Sequence, residues 1–219
     1  MNRTQRRDRL LAMYRAMLAG LGPSRWWPGY TPFEVAVGAV LTQNTNWTNV
    51  ERAIANLKAA GPFTCEALLA MPVPELEERL RPAGYFRLKT RRLRNFLEFL
   101  RDAAGHRIEA LAERDLPSLR EALLAVKGVG PETADSILLY ALGRPVFVID
   151  AYTFRILSRH GLVPEEAGYH ELQDLFMDVL PSDAALFNEY HALLVRVAKA
   201  WCAKAAPRCA GCPLNPFLP

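Results

Sequence analysis

Apolar residues recur along most of this chain at three- and four-residue spacing, the period of a helix with one buried face. Leu10, Leu11, Tyr14, Met17, Leu18 and Leu21 trace such a face along a helix at 4–20, ringed by Arg3, Arg6, Arg7, Arg9 and Arg15. Phe33, Val37, Val40 and Leu41 form a second stripe and Trp47, Val50, Ile54 and Leu57 a third, parted by the polar run Thr42-Gln43-Asn44-Thr45-Asn46, which reads as a joint between helices. Residues 62–80 predict a turn and a short helix around Pro72-Val73-Pro74. Leu88, Leu93, Phe96, Leu97 and Leu100 mark the inner face of a longer helix, and helical filler is expected from 105 to 121. Leu119, Leu123, Leu124 and Val126, then Ala134, Ile137, Leu138 and Ala141, flank Lys127-Gly128-Val129-Gly130. Tyr152, Ile156 and Leu157 open a further helix after the apolar run Val146-Phe147-Val148-Ile149. This periodicity predicts an all-α fold.

The glycine pair makes a corner. Gly128 and Gly130 accept backbone angles that a β-carbon forbids, and Pro131 and Glu132 suit the first turn of the helix that follows. Free N–H groups at such a helix start can hold a phosphate, so the corner reads either as a sequence-blind clamp on a nucleic-acid backbone or as an ordinary turn between helices. Asp150 stands where the next helix begins. It reads as an N-cap, and the same geometry also keeps a carboxylate ionised and able to stabilise a sugar cation.

Composition narrows the setting. With 219 residues, 51% hydrophobic and 23% charged, the chain can bury one large core or two modest ones. No apolar stretch approaches the ~20 residues of a membrane span, and the Arg-rich start lacks the apolar core of a secretion signal, so a cytoplasmic, nucleoid-associated protein is expected. A net charge of +4 permits nucleic-acid binding without demanding it. The densest basic cluster, Arg79, Arg81, Arg87, Lys89, Arg91, Arg92 and Arg94, surrounds Pro82-Ala83-Gly84-Tyr85-Phe86. It reads as the wet face of a helix or as a row of phosphate contacts. The loop Trp26-Trp27-Pro28 either packs on the core or lines a site that stacks a planar ligand, and Trp47 carries the same two readings. Three of the four cysteines fall in the last eighteen residues as Cys202-x6-Cys209-x2-Cys212, a spacing of metal ligands rather than of a disulfide framework. His160, His170 and His191 lack paired ligand spacing and read as buried or surface histidines.

The hairpin and its spacing to the acid in Val148-Ile149-Asp150-Ala151-Tyr152-Thr153 resemble the helix-hairpin-helix DNA glycosylase superfamily. The chain is similar to endonuclease III over most of its length, and closer to the 3-methyladenine DNA glycosylase III branch. Trp26-Trp27-Pro28, Leu41-Thr42-Gln43-Asn44-Thr45, Arg81-Pro82-Ala83-Gly84-Tyr85 and Lys127-Gly128-Val129-Gly130-Pro131-Glu132-Thr133-Ala134-Asp135 carry that closer match.

The resemblance implies an all-α fold of two helical domains, one at 30–134 ending in the hairpin and one made of 1–29 with 135–219, with DNA crossing a groove between them. It implies Asp150 as the catalytic acid. Trp26, Trp27, Pro28 and Trp47 would form the base pocket, Gln43 would fill the hole left by an extruded base, and Tyr85 would wedge the partner strand. Lys89, Lys127, Gly128, Val129 and Gly130 would meet the DNA backbone. Where lyase relatives carry a nucleophilic lysine, this chain has Glu132, and a carboxylate forms no Schiff base. The implied activity is therefore monofunctional release of alkylated purines of the 3-methyladenine type from double-stranded DNA by base flipping, as a monomer, with a downstream AP endonuclease acting on the abasic product. The alternatives are a glycosylase for uracil or thymine mismatches or oxidised pyrimidines, and a non-catalytic helix-hairpin-helix DNA-binding module. Cluster-bearing relatives hold a [4Fe–4S] centre on four cysteines, and the fourth position here is Leu218. That leaves Cys202, Cys209 and Cys212 as ligands of a cluster with an open corner, or as a degenerate site with free thiols or another metal.

Overall fold

Helix boundaries follow the capping chemistry of the sequence. In a computed structural model describing residues 1–24, 26 and 29–219, Asn2 and Gln5 form a reciprocal capping box on α1 (Arg3–Leu21). Thr31 caps α2 (Pro32–Leu41), Asn46 caps α3 (Trp47–Ala59) and Thr64 caps α4 (Cys65–Ala70), each by accepting a backbone N–H. Next come α5 (Val73–Leu80), α6 (Phe86–Ala104), α7 (Leu116–Leu124) and α8 (Pro131–Ser136). Asp150 caps α9 (Ala151–Arg159), α10 spans Tyr169–Met177, and Asp183 caps α11 (Ala184–Ala200). The described residues hold eleven α-helices and no strand, the all-α architecture that the periodicity predicts.

The chain divides into two compact units, Met1–Trp26 with Pro145–Pro219, and Trp27–Arg144. The return to the first unit falls after Arg144, beyond the 134 boundary that the resemblance implies, because α8 and the turn after it pack on α2. The first unit is built around rings. Phe147 stacks on Phe176 at 3.8 Å and meets Phe187 and Tyr190 edge-on, while Leu10, Met13 and Met17 of α1 are fully buried. The buried Tyr190 hydroxyl donates to the Leu10 carbonyl at 2.8 Å, so α1 is tied to α11 by a satisfied polar group as well as by apolar area. Val146–Ile149 is buried without regular structure, and the Gln173 side chain donates to the Phe147 carbonyl at 2.7 Å in place of a ladder.

In the second unit α6 is the common neighbour, packing against α2, α4 and α5. The expected filler at 105–121 is instead a 3₁₀ turn at Ile108–Leu111 followed by α7, and Arg144 donates to the carbonyls of Ala112 and Arg114 at 2.7 and 2.9 Å between them. The helix expected through Ala141 ends as α at Ser136. Ile137–Ala141 widens into a π turn closed by Leu142 N–H on the Ile137 carbonyl at 3.1 Å, which turns the three successive residues Ile137, Leu138 and Leu139 inward.

The two hairpin glycines differ. Gly128 has φ +99°, and a β-carbon there would lie 2.4 Å from Arg92 Cγ, whereas Gly130 has φ −96° and open space around it. Gly128→Ala is expected to destabilise the protein by about 1–3 kcal/mol in denaturant titrations, and Gly130→Ala by less than about 0.5 kcal/mol; equal losses would refute the packing account.

Candidate functional site

The hairpin is locked from three sides within the second unit. Gln43, in the joint after α2, donates to the Gly128 carbonyl at 3.1 Å and to Thr133 Oγ1 at 2.9 Å, and its own carbonyl accepts from Arg92 Nη1. Asn95 donates to the Lys127 carbonyl at 2.7 Å. Asp135, 0% exposed, receives a two-pronged pair from Arg120 at 2.7 and 3.0 Å, joining α7 to α8 across the corner. Gln43, proposed from sequence as the residue that enters a base-sized hole, thus sits directly on the hairpin. Lys127 is exposed at the tip. Val129, which the resemblance places among the residues meeting the DNA backbone, has its side chain buried and its N–H donated to the Val126 carbonyl at 2.9 Å, so it anchors the corner.

Tyr85 stands 72% exposed at the start of α6, in the left-handed region at φ 44° and ψ 35°. Holding a side chain there costs about 1–2 kcal/mol, and the large ring is left in solvent. Lys89 corrects the sequence reading. It is 1% exposed, its ammonium donates to the Ala83 carbonyl at 2.7 Å, and burial, with Arg92 nearby, lowers its pKa to about 8. It braces the loop that presents Tyr85 instead of meeting a phosphate.

Trp47, at the first position of α3, lines an open pocket of about 480 Å³ together with Tyr30, Glu34, Glu51, Ile54 and Lys58. Lys58 pairs with Glu34 at 2.8 Å and its ammonium lies 5.2 Å from the centre of the Tyr30 ring. With two carboxylates and one ammonium, the lining carries one net negative charge, which no sequence window shows because Glu34 and Lys58 come from different helices. Trp26 is half-buried in the loop of the first unit, next to Ser24, which both donates to Glu189 and accepts from the Trp26 N–H at 3.3 Å. Trp27 and Pro28, also expected in the pocket, lie outside the described residues.

Asp150 is the N-cap that its position in the sequence predicts, and its carboxylate has a second neighbour. One carboxylate oxygen accepts the Thr153 N–H at 2.7 Å as an N-cap, and the other lies 3.5 Å from Nε2 of the buried His191 on α11. Burial raises the Asp150 pKa, but the neighbouring His191 and the hydrogen bonds from His191 and Thr153 outweigh it and hold the carboxyl below its ordinary 3.8. His191 was legible in the sequence only as a scattered histidine.

Cys202, Cys209 and Cys212 line one largely apolar cavity of about 40 Å³ with Arg159, His160, Asn215 and Leu218. Two sulfurs already accept N–H groups, Cys202 from Arg159 Nη1 at 3.2 Å and Cys212 from Leu214 N at 3.4 Å, the environment that tunes cluster sulfurs. Among the described residues no three metal-binding side chains converge on a single ion. Thiols spread around a cavity fit a multi-iron group better than a lone ion. Cys65 takes no part: it is buried on α4, where its thiol donates to the Leu97 carbonyl, and burial pushes its pKa up to about 11.

Residues 37–182 match the model of the HhH-GPD superfamily of base excision DNA repair proteins. A candidate DNA repair glycosylase of Methanocaldococcus jannaschii is 45% identical over 96% of both chains, and endonuclease III of Bacillus subtilis is 26% identical over 84% of this chain and 78% of its own. Among solved structures, a trapped endonuclease III–DNA covalent intermediate is similar in fold, with TM-score 0.81, 23% identity and coverage of 100% of this chain and 96% of that one. The H. pylori 3-methyladenine DNA glycosylase bound to 1,N6-ethenoadenine aligns with TM-score 0.73 and 29% identity over 89% of this chain and 97% of that one.

Two titrations test the site's electrostatics. A carboxyl with a depressed pKa adds stability that is complete above the unfolded value and is lost as pH falls through the folded one. By carboxyl ¹³C NMR, Asp150 is expected to titrate below 3.8 in the wild type and at higher pH in His191→Gln; an unchanged value would show that His191 does not act on it. A lysine with a lowered pKa follows the same sign, since between its folded and unfolded values the unfolded chain again binds the extra proton; here the buried charge is a penalty that is relieved as pH rises. Wild-type stability should therefore rise relative to Lys89→Met between pH 8 and 10.5, read from paired denaturant titrations.

Proposed function

The chain belongs to the HhH-GPD superfamily of base excision DNA repair proteins, and on that footing we propose that it is a monofunctional DNA glycosylase releasing N-alkylated purines. The observation that carries this reading is the Trp47 pocket: an aromatic face beside a net negative lining favours a flat cation over a neutral base. An N-alkylated purine is such a cation and is already a good leaving group, so little acid assistance is needed. The similarity to the H. pylori 3-methyladenine DNA glycosylase supports the same class.

The proposed roles follow from each residue's surroundings. Tyr85 opens the stack as an exposed wedge, and Gln43, fixed to the hairpin, occupies the space of the extruded nucleotide. Lys127 and the backbone of Gly128 and Gly130 contact phosphate. Trp47, with Trp26, Trp27 and Pro28, holds the base. Asp150, kept ionised, stabilises the oxocarbenium-like sugar and orients the water that replaces the base. Glu132, exposed in the first turn of α8, supplies no amine, so the abasic strand is left intact for a separate AP endonuclease. The protein acts as a monomer on damaged double-stranded DNA. Cys202, Cys209 and Cys212 would hold a [4Fe–4S] cluster, which when bound cross-links the C-terminal loops.

The test is a panel of duplexes carrying 7-methylguanine, 1,N6-ethenoadenine, uracil or thymine opposite guanine, or thymine glycol. Base release is scored with and without alkali for wild type, Asp150→Asn and Glu51→Gln. Release of the alkylated purines, strand scission only after alkali, loss of release in Asp150→Asn and roughly tenfold weaker kcat/KM on 7-methylguanine in Glu51→Gln are expected. Scission without alkali, or preference for the pyrimidine lesions, would favour endonuclease III chemistry. Tight abasic-site binding with no release from any duplex would make this a binding module.

A further inference from the structure

The cysteine cavity has a fourth wall that the sequence pattern conceals. Position 218, where cluster-bearing relatives place their last cysteine, is leucine, yet His160 lines the same cavity as the three cysteines. His160 closes α9, and His160 Nδ1 lies 3.1 Å from the carbonyl oxygen of Phe217, the residue immediately before Leu218. A carbonyl only accepts, so Nδ1 carries the ring proton and Nε2 keeps its lone pair. This is the arrangement in which protein histidines bind metals, with one nitrogen oriented by a carbonyl and the other free to coordinate. The orienting group is itself held: Arg9 donates to the Phe217 carbonyl at 2.8 Å and to the His160 carbonyl at 3.2 Å, pinning α9, the C-terminal turn and α1 around the ring.

Resting on the cluster reading above, we infer that His160 Nε2 is the fourth ligand, giving a Cys₃His site made of Cys202, Cys209, Cys212 and His160. On binding, each cysteine gives up its thiol proton and forms an iron–sulfur bond, while the imidazole binds neutral and releases no proton. The Leu218 substitution is then compensated from a distant helix, and the corner of the cube that three thiolates leave open is closed. Arg159, one residue before His160, donates to Cys202 Sγ, so the end of α9 serves two sides of the same cavity.

The test uses the full-length chain, loaded anaerobically with equal amounts of ferrous and ferric iron and with sulfide, then reduced by one electron with dithionite for the electron-spin signals, and reads iron content and visible absorption as well. Wild type is expected to hold about four irons per chain, and with ¹⁵N-labelled histidine the reduced cluster should show directly coordinated nitrogen. His160→Ala should lose iron in air about tenfold faster or more, passing through a three-iron signal. His160→Ala with Leu218→Cys should restore retention by supplying a thiolate at the expected position. Absence of nitrogen coupling in the wild type, or iron retention in His160→Ala equal to wild type, overturns the assignment of His160 while leaving the cluster reading intact. No iron uptake by the wild type, with Cys209→Ser unchanged from it, overturns the cluster reading and the inference with it. The nitrogen measurement is made on unmutated protein, so a variant that fails to fold does not remove the test.

Discussion

The missing side chain at Gly128 is the constraint on which the hairpin side of the second unit depends. Because no β-carbon stands there, the stem of Arg92 lies against the hairpin, and its guanidinium reaches the side-chain carbonyl of Gln43. Gln43 in turn donates to Gly128 and Thr133. One glycine thus joins α6, the α2–α3 joint and the hairpin through a small polar network in which the Gln43 amide both donates and accepts. Such networks rigidify when complete and fail together when one member is displaced. The Arg120–Asp135 pair repeats the theme with charge: burying Asp135 is tolerable because two guanidinium N–H groups meet it in a fixed fork.

A similar economy governs Asp150. A helix start supplies N–H groups that want an acceptor, and a buried carboxylate wants donors, so a single residue satisfies both. The cap also aims the second carboxylate oxygen toward His191, and the combined stabilisation outweighs the desolvation of the charge. The group proposed to face a sugar cation is therefore kept anionic by the same contacts that fix its position. No separate catalytic scaffold is required.

Basic residues divide by burial rather than by sequence proximity. In the run from Arg79 to Arg94, Lys89 turns inward to brace the Tyr85 loop, Arg92 packs on the hairpin, and Arg81 and Arg87 lie over the Phe86 ring at 4.9 and 5.7 Å. A cluster that reads as one electrostatic footprint does at least three different jobs. The strain at Tyr85 makes sense in this setting, since Lys89 and Gly84 hold the turn in place and the ring is left to project.

Taken alone, the sequence determined the helical class, most helix positions and the glycine corner, because these follow from local periodicity, capping residues and backbone freedom. It also marked Asp150, Gln43, Tyr85 and the cysteine run, each carried by a short motif. Tertiary structure alone decided the rest. The π turn at Ile137–Ala141 answers to packing on α2, which no local spacing encodes. Lys89 faces inward although its basic neighbours suggest otherwise, since facing depends on what α6 meets. The His191–Asp150 contact, the Glu34–Lys58 pair in the Trp47 pocket and the place of His160 beside the thiols all join residues far apart in the chain. Such pairings arise only when helices dock, because a side chain's partners are set by three-dimensional neighbours, whereas a motif records only neighbours along the chain.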